Sequence, residues 1–104
     1  MSRALTCVIA EDERIFRDAL GALLATEWPD LVVVASCEDG ADALEAVAEH
    51  RPDVAFLDIR MPGLNGLDVA AAALKLSPDT QVVFVTAYNQ YAIDAFEKGA
   101  IDYL

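Results

Sequence analysis

A short apolar run that stops at a carboxylate, Val54-Ala55-Phe56-Leu57-Asp58, decides the fold of this chain. Four consecutive apolar residues without alternation are typical of a strand that is buried on both faces, as strands of parallel sheets are. Four further runs, rich in apolar and mostly β-branched residues, lie along the chain, at residues 5–10, 31–35, 82–85 and, in part, 101–104. The sequence therefore predicts a parallel sheet of up to five strands.

Amphipathic stretches with helical spacing separate these runs. Ile15, Ala19, Leu20, Leu23 and Leu24 form the first apolar stripe, and similar stripes occupy residues 41–48, 67–74 and 91–96. The order is βαβαβαβαβ, and right-handed crossovers turn it into an α/β fold, a doubly wound parallel sheet with helices on both faces. A length of 104 residues suits one domain.

Composition excludes several classes of function. Eighteen acidic against seven basic residues give a net charge of −11, which repels nucleic acid phosphates and anionic membranes, so a metal cation or a basic partner suits the chain better. Cys7 and Cys37 both lie in apolar runs and are expected to be reduced core residues of a cytoplasmic protein. No apolar run approaches the ~20 residues of a membrane helix, and no signal peptide is visible. We expect a soluble protein.

The informative polar residues follow the predicted strands. In doubly wound sheets the ligand crevice lies beyond the carboxyl ends of the strands. The first run ends at Glu11 and Asp12, the third at Asp58 and the fourth at Thr86. Taken singly, Asp12 fits a helix N-cap, Asp58 a turn and Thr86 an ordinary strand residue. Their joint occurrence at strand ends favours a site with three carboxylates and a hydroxyl.

Clustered carboxylates favour a hard divalent cation such as Mg²⁺, which relieves their mutual repulsion. A metal beside a carboxylate can also neutralise an incoming phosphoryl group and make that carboxylate a usable nucleophile. Dinucleotide and flavin sites need a glycine-rich turn after the first strand, whereas residues 10–13 contain no glycine and three negative charges. The sole histidine, His50, is predicted at a helix end away from these carboxylates.

Over its whole length the sequence resembles CheY-like receiver domains of two-component response regulators. The resemblance rests on Glu11-Asp12, on the block at residues 56–66 that surrounds Asp58, and on residues 85–87 around Thr86. It implies a flavodoxin-like strand order 2-1-3-4-5 and a phosphoryl group received on Asp58 from a sensor histidine kinase. Within that block, Pro62, Gly63 and Gly66 shape the loop after the acceptor.

The same resemblance implies roles for the surrounding residues. Glu11, Asp12 and Asp58 would hold Mg²⁺ together with the backbone carbonyl of Arg60. Thr86 would be the switch hydroxyl, and the switch aromatic of the family would be Tyr103.

Residues 87–96 and 99–104 are similar to regulators that carry a LytTR-type DNA-binding domain. That similarity implies transcription regulation, with DNA contacted by a domain outside these residues. The chain stops at Leu104, two residues before the lysine expected in the family, so residues 1–104 are interpreted as a C-terminally incomplete receiver domain that lacks the last helix. We expect the uncovered strands 5–10 and 54–57 to expose apolar side chains, the chain to form a homodimer, and phosphorylation of the 104 residues alone to be poor.

The leading interpretation is a phosphorylation-controlled switch, not an enzyme for another substrate: it assists only its own phosphoryl transfer and dephosphorylation. Two alternatives stay open. A pseudo-receiver would bind partners without taking phosphate. An aspartyl-phosphate phosphatase of the haloacid dehalogenase type needs a second Asp two residues after its nucleophile, where this chain has Arg60.

Overall fold

The computed structural model describes residues 3–85 and the backbone of residues 102–103. The elements in chain order are β1 Thr6–Ala10, α1 Arg14–Glu27, β2 Val32–Cys37, α2 Gly40–His50, β3 Val54–Leu57, α3 Gly66–Leu76, β4 Gln81–Phe84 and β5 Asp102–Tyr103. The helix predicted at residues 91–96 and the hydroxyl of Thr86 lie outside the described residues.

The strands form one parallel sheet in the order β2-β1-β3-β4-β5. This order confirms the doubly wound, flavodoxin-like prediction. The chain first adds β2 on one side of β1 and then crosses to the other side with β3, so the strand order reverses between these two neighbours. A crevice for a ligand opens at such a reversal, at the carboxyl ends of β1 and β3.

Polar side chains cap two of the helices that begin at this edge of the sheet, α2 and α3. The carboxylate of Asp39 accepts a hydrogen bond from the Asp42 N–H at 2.8 Å at the start of α2. The side-chain oxygen of Asn65 accepts one from the Asp68 N–H at 2.9 Å at the start of α3. Each cap satisfies a backbone donor that the helix itself leaves unpaired, which fixes where the helix begins.

The two faces of the sheet carry separate apolar clusters. One cluster packs α2 and α3 onto the sheet through small side chains, Ala43 and Ala46 from α2 and Ala70 and Ala73 from α3, which let the helices approach closely. The other packs α1 onto the opposite face. Its members include Leu20 and Leu24 of α1, with Cys7, Ile9, Val54 and Phe56 of the sheet.

The apolar stripe predicted for α1 is only half correct. Leu20 and Leu24 are buried, but Ile15, Ala19 and Leu23 are exposed, Ile15 to 80%. The reason is geometric: successive helical residues are rotated by about 100°, so Leu20 and Leu24 lie nearly on one line, whereas Ile15 lies roughly 140° around the helix from Leu20. A helical period identifies the apolar side of a helix but not the width that a neighbour covers.

The expected exposure of apolar side chains is wrong for residues 54–57 and for residues 7–10, although Leu5, just before β1, is 42% exposed. All four residues of β3 are buried, as are residues 7–10 of β1. Large apolar side chains are exposed instead on α1, on α3, in connecting segments and on β2, where Val32 and Val33 are 46% and 40% exposed. Because β2 is at the edge of the sheet, it has a neighbouring strand on one side only.

Both cysteines are free and buried, as expected from the sequence. They belong to different apolar clusters, Cys7 on the α1 face and Cys37 on the α2–α3 face, so the sheet separates them. Burial raises the pKa of each thiol to about 11, which keeps both protonated and unreactive. Among the described residues, none of the helices has the length and apolar character that crossing a membrane requires.

Candidate metal centre at the carboxyl end of the sheet

Backbone hydrogen bonds align the strand ends that carry the predicted site residues. Glu11 and Asp12 directly follow β1, and Asp58 directly follows the neighbouring β3. The Asp58 N–H donates to the Ala10 carbonyl at 2.8 Å, and the Glu11 N–H donates to the Cys37 carbonyl at 3.0 Å. As a result one carboxylate oxygen from each of Glu11, Asp12 and Asp58 lies within 4.8 Å of the others.

Glu11 is the most enclosed member of this acidic cluster of Glu11, Asp12 and Asp58. It is buried, with 7% of its surface exposed, and burial raises the pKa of its carboxyl to about 7. The nearby charge of Asp58 acts in the same direction. A hydrogen bond from the Glu13 N–H to Glu11 Oε1, at 3.1 Å, opposes the rise.

Asp58 is similarly constrained. Its burial raises the pKa of the carboxyl, and the charge of Asp12 raises it further, whereas hydrogen bonds from the Arg60 and Ile59 N–H groups lower it. The Arg60 N–H lies 3.4 Å from Asp58 Oδ1. Upward shifts in two adjacent carboxyls mean that burial and mutual repulsion disfavour their ionised forms.

The donor set fits Mg²⁺. Three carboxylates offer hard oxygen ligands, and Mg²⁺ is usually held through a few carboxylates while keeping several waters. Asp12 is exposed, so the cluster can be reached from solvent. The sequence prediction of three converging carboxylates is therefore consistent with their arrangement in the described residues.

The loop after Asp58 forms the wall of an adjoining cavity of about 500 Å³. Residues 59–63 line it together with Asp12, Asn65 and Leu67. Two glycines shape this loop. Gly63 has a left-handed φ of 72°, and a Cβ on Gly66 would overlap the carbonyl oxygen of Asp58. The Gly66 N–H also donates to the Ile59 carbonyl at 2.8 Å, which closes the loop beneath the carboxylate.

The other predicted site residues are placed less completely. Arg60 lines the cavity, and its backbone lies beside Asp58. Tyr103 lies in β5, paired with Phe84 of β4, and its side chain is outside the described residues. Thr86 follows Val85 and lies outside them as well. His50 ends α2, as predicted.

Sequence reasoning missed Arg17. Its guanidinium Nη1 donates a hydrogen bond to the backbone carbonyl of Glu11 at 2.8 Å. The two residues are six positions apart, which is not a helical contact spacing, so no local pattern pairs them.

Comparison with known sequences covers nearly the whole chain. The family described as "Response regulator receiver domain" matches residues 7–104. The chain is 51% identical over all 104 residues to a response regulatory protein of Vibrio cholerae, of which it covers 40%. It is 43% identical over 99 residues, 93% of the chain, to the sensory transduction protein LytT of Oceanobacillus iheyensis, again covering 40% of that protein.

Comparison with solved structures gives the same fold. The crystal structure of the response regulator protein TrrA from Thermotoga maritima, in complex with Mg²⁺ and BeF, matches with a TM-score of 0.85 and 30% sequence identity. The match covers 96% of this chain and 84% of the other. The chain spans about 40% of the length of the curated relatives that it matches.

Proposed function

Because this chain belongs to the response regulator receiver domain family, we propose that it is a phosphorylation-controlled switch in which Asp58 accepts a phosphoryl group from a sensor histidine kinase. The observation that carries this proposal is the acidic cluster, whose three carboxylates approach within 4.8 Å at the ends of two adjacent strands. Such a domain is a phosphoacceptor rather than an enzyme acting on another substrate.

Asp58 is the proposed nucleophile. One of its carboxylate oxygens attacks the phosphorus atom of a phosphohistidine, the P–N bond breaks, and the bonding electrons leave with the imidazole of the donor. Mg²⁺ held by Glu11, Asp12, Asp58 and the Arg60 carbonyl would neutralise charge on the phosphoryl oxygens. The Arg60 N–H, 3.4 Å from Asp58 Oδ1, orients the carboxylate, and the adjoining cavity leaves room for the donor.

We propose Thr86 and Tyr103 as the switch pair that reports phosphorylation. Support comes from the register of the sheet. The last residue of β3, which precedes Asp58, pairs with Phe84 at the end of β4. Phe84 in turn pairs with Tyr103 of β5. Thr86 follows β4 after one residue. A change at Asp58 therefore has a short path across β4 to β5, and it acts by biasing a two-state element.

The exposed apolar residues at the start of α1 suggest where the kinase docks. Ile15 and Phe16 are 80% and 59% exposed, and they lie within five residues of Glu11 and Asp12. Apolar side chains exposed together commonly mark an interaction surface. A kinase bound there would hold its phosphohistidine near Asp58.

We further propose that the chain self-associates through apolar residues that the described structure leaves exposed. Leu23 of α1 and Val32 and Val33 of β2 are each 40% exposed or more. Sedimentation equilibrium at micromolar concentration tests this point, and a single monomeric species would overturn it.

The output is proposed to be transcription regulation in the cytoplasm. Support comes from the similarity to LytT, a sensory transduction protein. With a net charge of −11, this chain is unsuited to touch DNA itself, so DNA contact is assigned to a LytTR-type domain elsewhere in the protein. Residues 1–104 belong to the receiver domain in this proposal.

Mapping the phosphorylated residue tests the central proposal. The full-length protein is incubated with a small phosphodonor and Mg²⁺, the acyl phosphate is reduced with borohydride, and the modified residue is located by mass spectrometry. We expect modification at Asp58, none in Asp58→Asn, and full modification in Asp53→Asn, whose carboxylate lies at the opposite end of the same strand. Full modification of Asp58→Asn would overturn the assignment, and unmodified wild type would indicate a pseudo-receiver.

A further inference from the structure

Arg17 links the first helix to the acidic cluster through the backbone. Its Nη1 donates to the Glu11 carbonyl at 2.8 Å, across the turn between β1 and α1. The side chain is half-buried. Arg14, about one turn earlier on the same helix, is 84% exposed and contacts Asp18 at the surface, 3.6 Å away. The two arginines therefore differ in burial and in partner although they share an element and a charge.

The peptide that Arg17 contacts joins the two carboxylate residues that follow β1. The N–H of Glu11 donates to the Cys37 carbonyl at 3.0 Å, and Glu11 Oε1 accepts from the Glu13 N–H at 3.1 Å. With Arg17 on the carbonyl, the backbone donor, the backbone acceptor and the side chain of Glu11 each have a different partner. A hydrogen bond from a guanidinium is charge-assisted and among the stronger ones in proteins.

We propose that Arg17 is a positioning residue that fixes the peptide between Glu11 and Asp12 and so sets the affinity of the acidic cluster for a divalent cation. Groups that orient metal ligands without touching the metal commonly change its affinity tenfold or more when they are removed. This role rests on the proposed function in one respect, that the cluster binds a cation.

A purely electrostatic role for Arg17 has the opposite consequence. A positive charge near the cluster repels a divalent cation, so removing the charge would tighten binding. Loss of a positioning hydrogen bond would weaken binding instead, because the turn that carries Asp12 loses one of its restraints. The sign of the change in affinity therefore separates the two roles.

The test measures the dissociation constant for Mg²⁺ by calorimetry, and that for Mn²⁺ by the electron spin resonance of the free ion, at constant ionic strength. We expect Arg17→Met to weaken binding of both ions about tenfold and Arg17→Lys about threefold, since an ammonium cannot reproduce the planar guanidinium. Arg14→Met removes the same charge from the same helix and is expected to stay within about twofold of wild type.

Circular dichroism establishes that each variant is folded. Among folded variants, a change in the affinity for Mg²⁺ is then not explained by a change in overall stability. Unchanged or tighter binding in Arg17→Met overturns the positioning role. Should that variant not fold, Arg17→Lys decides, and wild-type affinity there overturns the role. Asp12→Asn is measured alongside: wild-type affinity in Asp12→Asn overturns the cation site itself, whereas weakened Asp12→Asn with unchanged Arg17 variants overturns only the role of Arg17.

Discussion

An aspartate flanks each end of β3, and the surroundings of the two aspartates shift their pKa values in opposite directions. Asp53 precedes the strand, where Arg3 donates two hydrogen bonds to its carboxylate at 2.6 and 2.7 Å and the Thr6 N–H donates a third at 2.8 Å. These partners lower the pKa of Asp53 to about 2. Asp58 follows the strand, and there burial beside other carboxylates raises the pKa of the carboxyl.

The amino end of the sheet also contains a closed hydrogen-bond network of neutral groups. The hydroxyls of Ser77 and Thr80 lie 2.6 Å apart, and Thr80 Oγ1 donates to the Pro52 carbonyl at 2.6 Å. Polar groups at this end thus find partners within the chain, which stabilises the fold. At the other end, the carboxylates of Glu11 and Asp58 are held close together although this raises the pKa of both carboxyls, an arrangement typical of functional sites.

The largest effect is expected from Gly66→Ala, which disturbs the loop at the carboxyl end of the sheet. The added Cβ would overlap the Asp58 carbonyl oxygen, so the loop must move, at a cost of about 3 kcal/mol in the free energy of unfolding. Gly21→Ala is the matched control: it lies within α1 with no atom near the new Cβ and should stabilise by about 1 kcal/mol. Urea unfolding measures both, and equal stabilities would show that the loop adapts freely.

Asp12→Asn, compared with Asp53→Asn, should show that cation binding belongs to the carboxyl end of the sheet. Losing one carboxylate ligand is expected to weaken Mg²⁺ binding about a hundredfold, or about 2.7 kcal/mol. Asp53→Asn should leave Mg²⁺ affinity unchanged and lower the melting temperature instead, because Arg3 and Thr6 lose their charged acceptor. Titration calorimetry and thermal unfolding on both variants check this reversal. Similar Mg²⁺ affinities in the two variants would contradict it.

Thr80→Val tests whether the amino end is purely structural. The substitution removes the donor to the buried Pro52 carbonyl, and an unsatisfied buried acceptor costs about 2 kcal/mol. Thr26→Val, which removes an exposed hydroxyl bonded to the Ala22 carbonyl within α1, should cost less than about 0.5 kcal/mol. Both variants should bind Mg²⁺ as wild type does. Weaker Mg²⁺ binding in Thr80→Val would mean that the two ends are coupled.

Mg²⁺ binding should also depend on pH. Because the pKa of Glu11 in the folded protein is about 7, Mg²⁺ must displace a proton below that pH, and its affinity should fall up to about tenfold per unit. Above about pH 7 the affinity should level off. Calorimetric titrations between pH 5.5 and 8 measure the slope, and a flat profile would remove Glu11 from the cation site.

The stability of the ion-free protein should depend on pH in opposite senses at the two ends. The raised pKa of Glu11 gives a contribution that is complete below the ordinary carboxyl pKa and is lost as pH rises through about 7. The lowered pKa of Asp53 gives a contribution that is present above the ordinary carboxyl pKa and is lost as pH falls through about 2. Urea midpoints across pH in Glu11→Gln and Asp53→Asn separate the two contributions.

The sequence by itself determined the strands, their parallel arrangement and the convergence of Glu11, Asp12 and Asp58. It could do so because a buried strand is a local pattern of apolar residues, and a parallel sheet brings the ends of its strands to one edge. The observed strands differ from the predicted ones by at most two residues at either end. The roles of Thr86 and Tyr103 stay predictions.

Only the tertiary structure decided which apolar residues of α1 are covered and what Arg17 contacts. Periodicity marks Ile15 and Leu20 alike as members of one stripe, but burial depends on which part of the stripe the sheet covers: Leu20 is buried, whereas Ile15 is 80% exposed. Likewise the hydrogen bond from Arg17 to the Glu11 carbonyl crosses a turn whose path no residue spacing specifies. Such contacts depend on distances between elements, which are set when the elements pack together and not by any one of them alone.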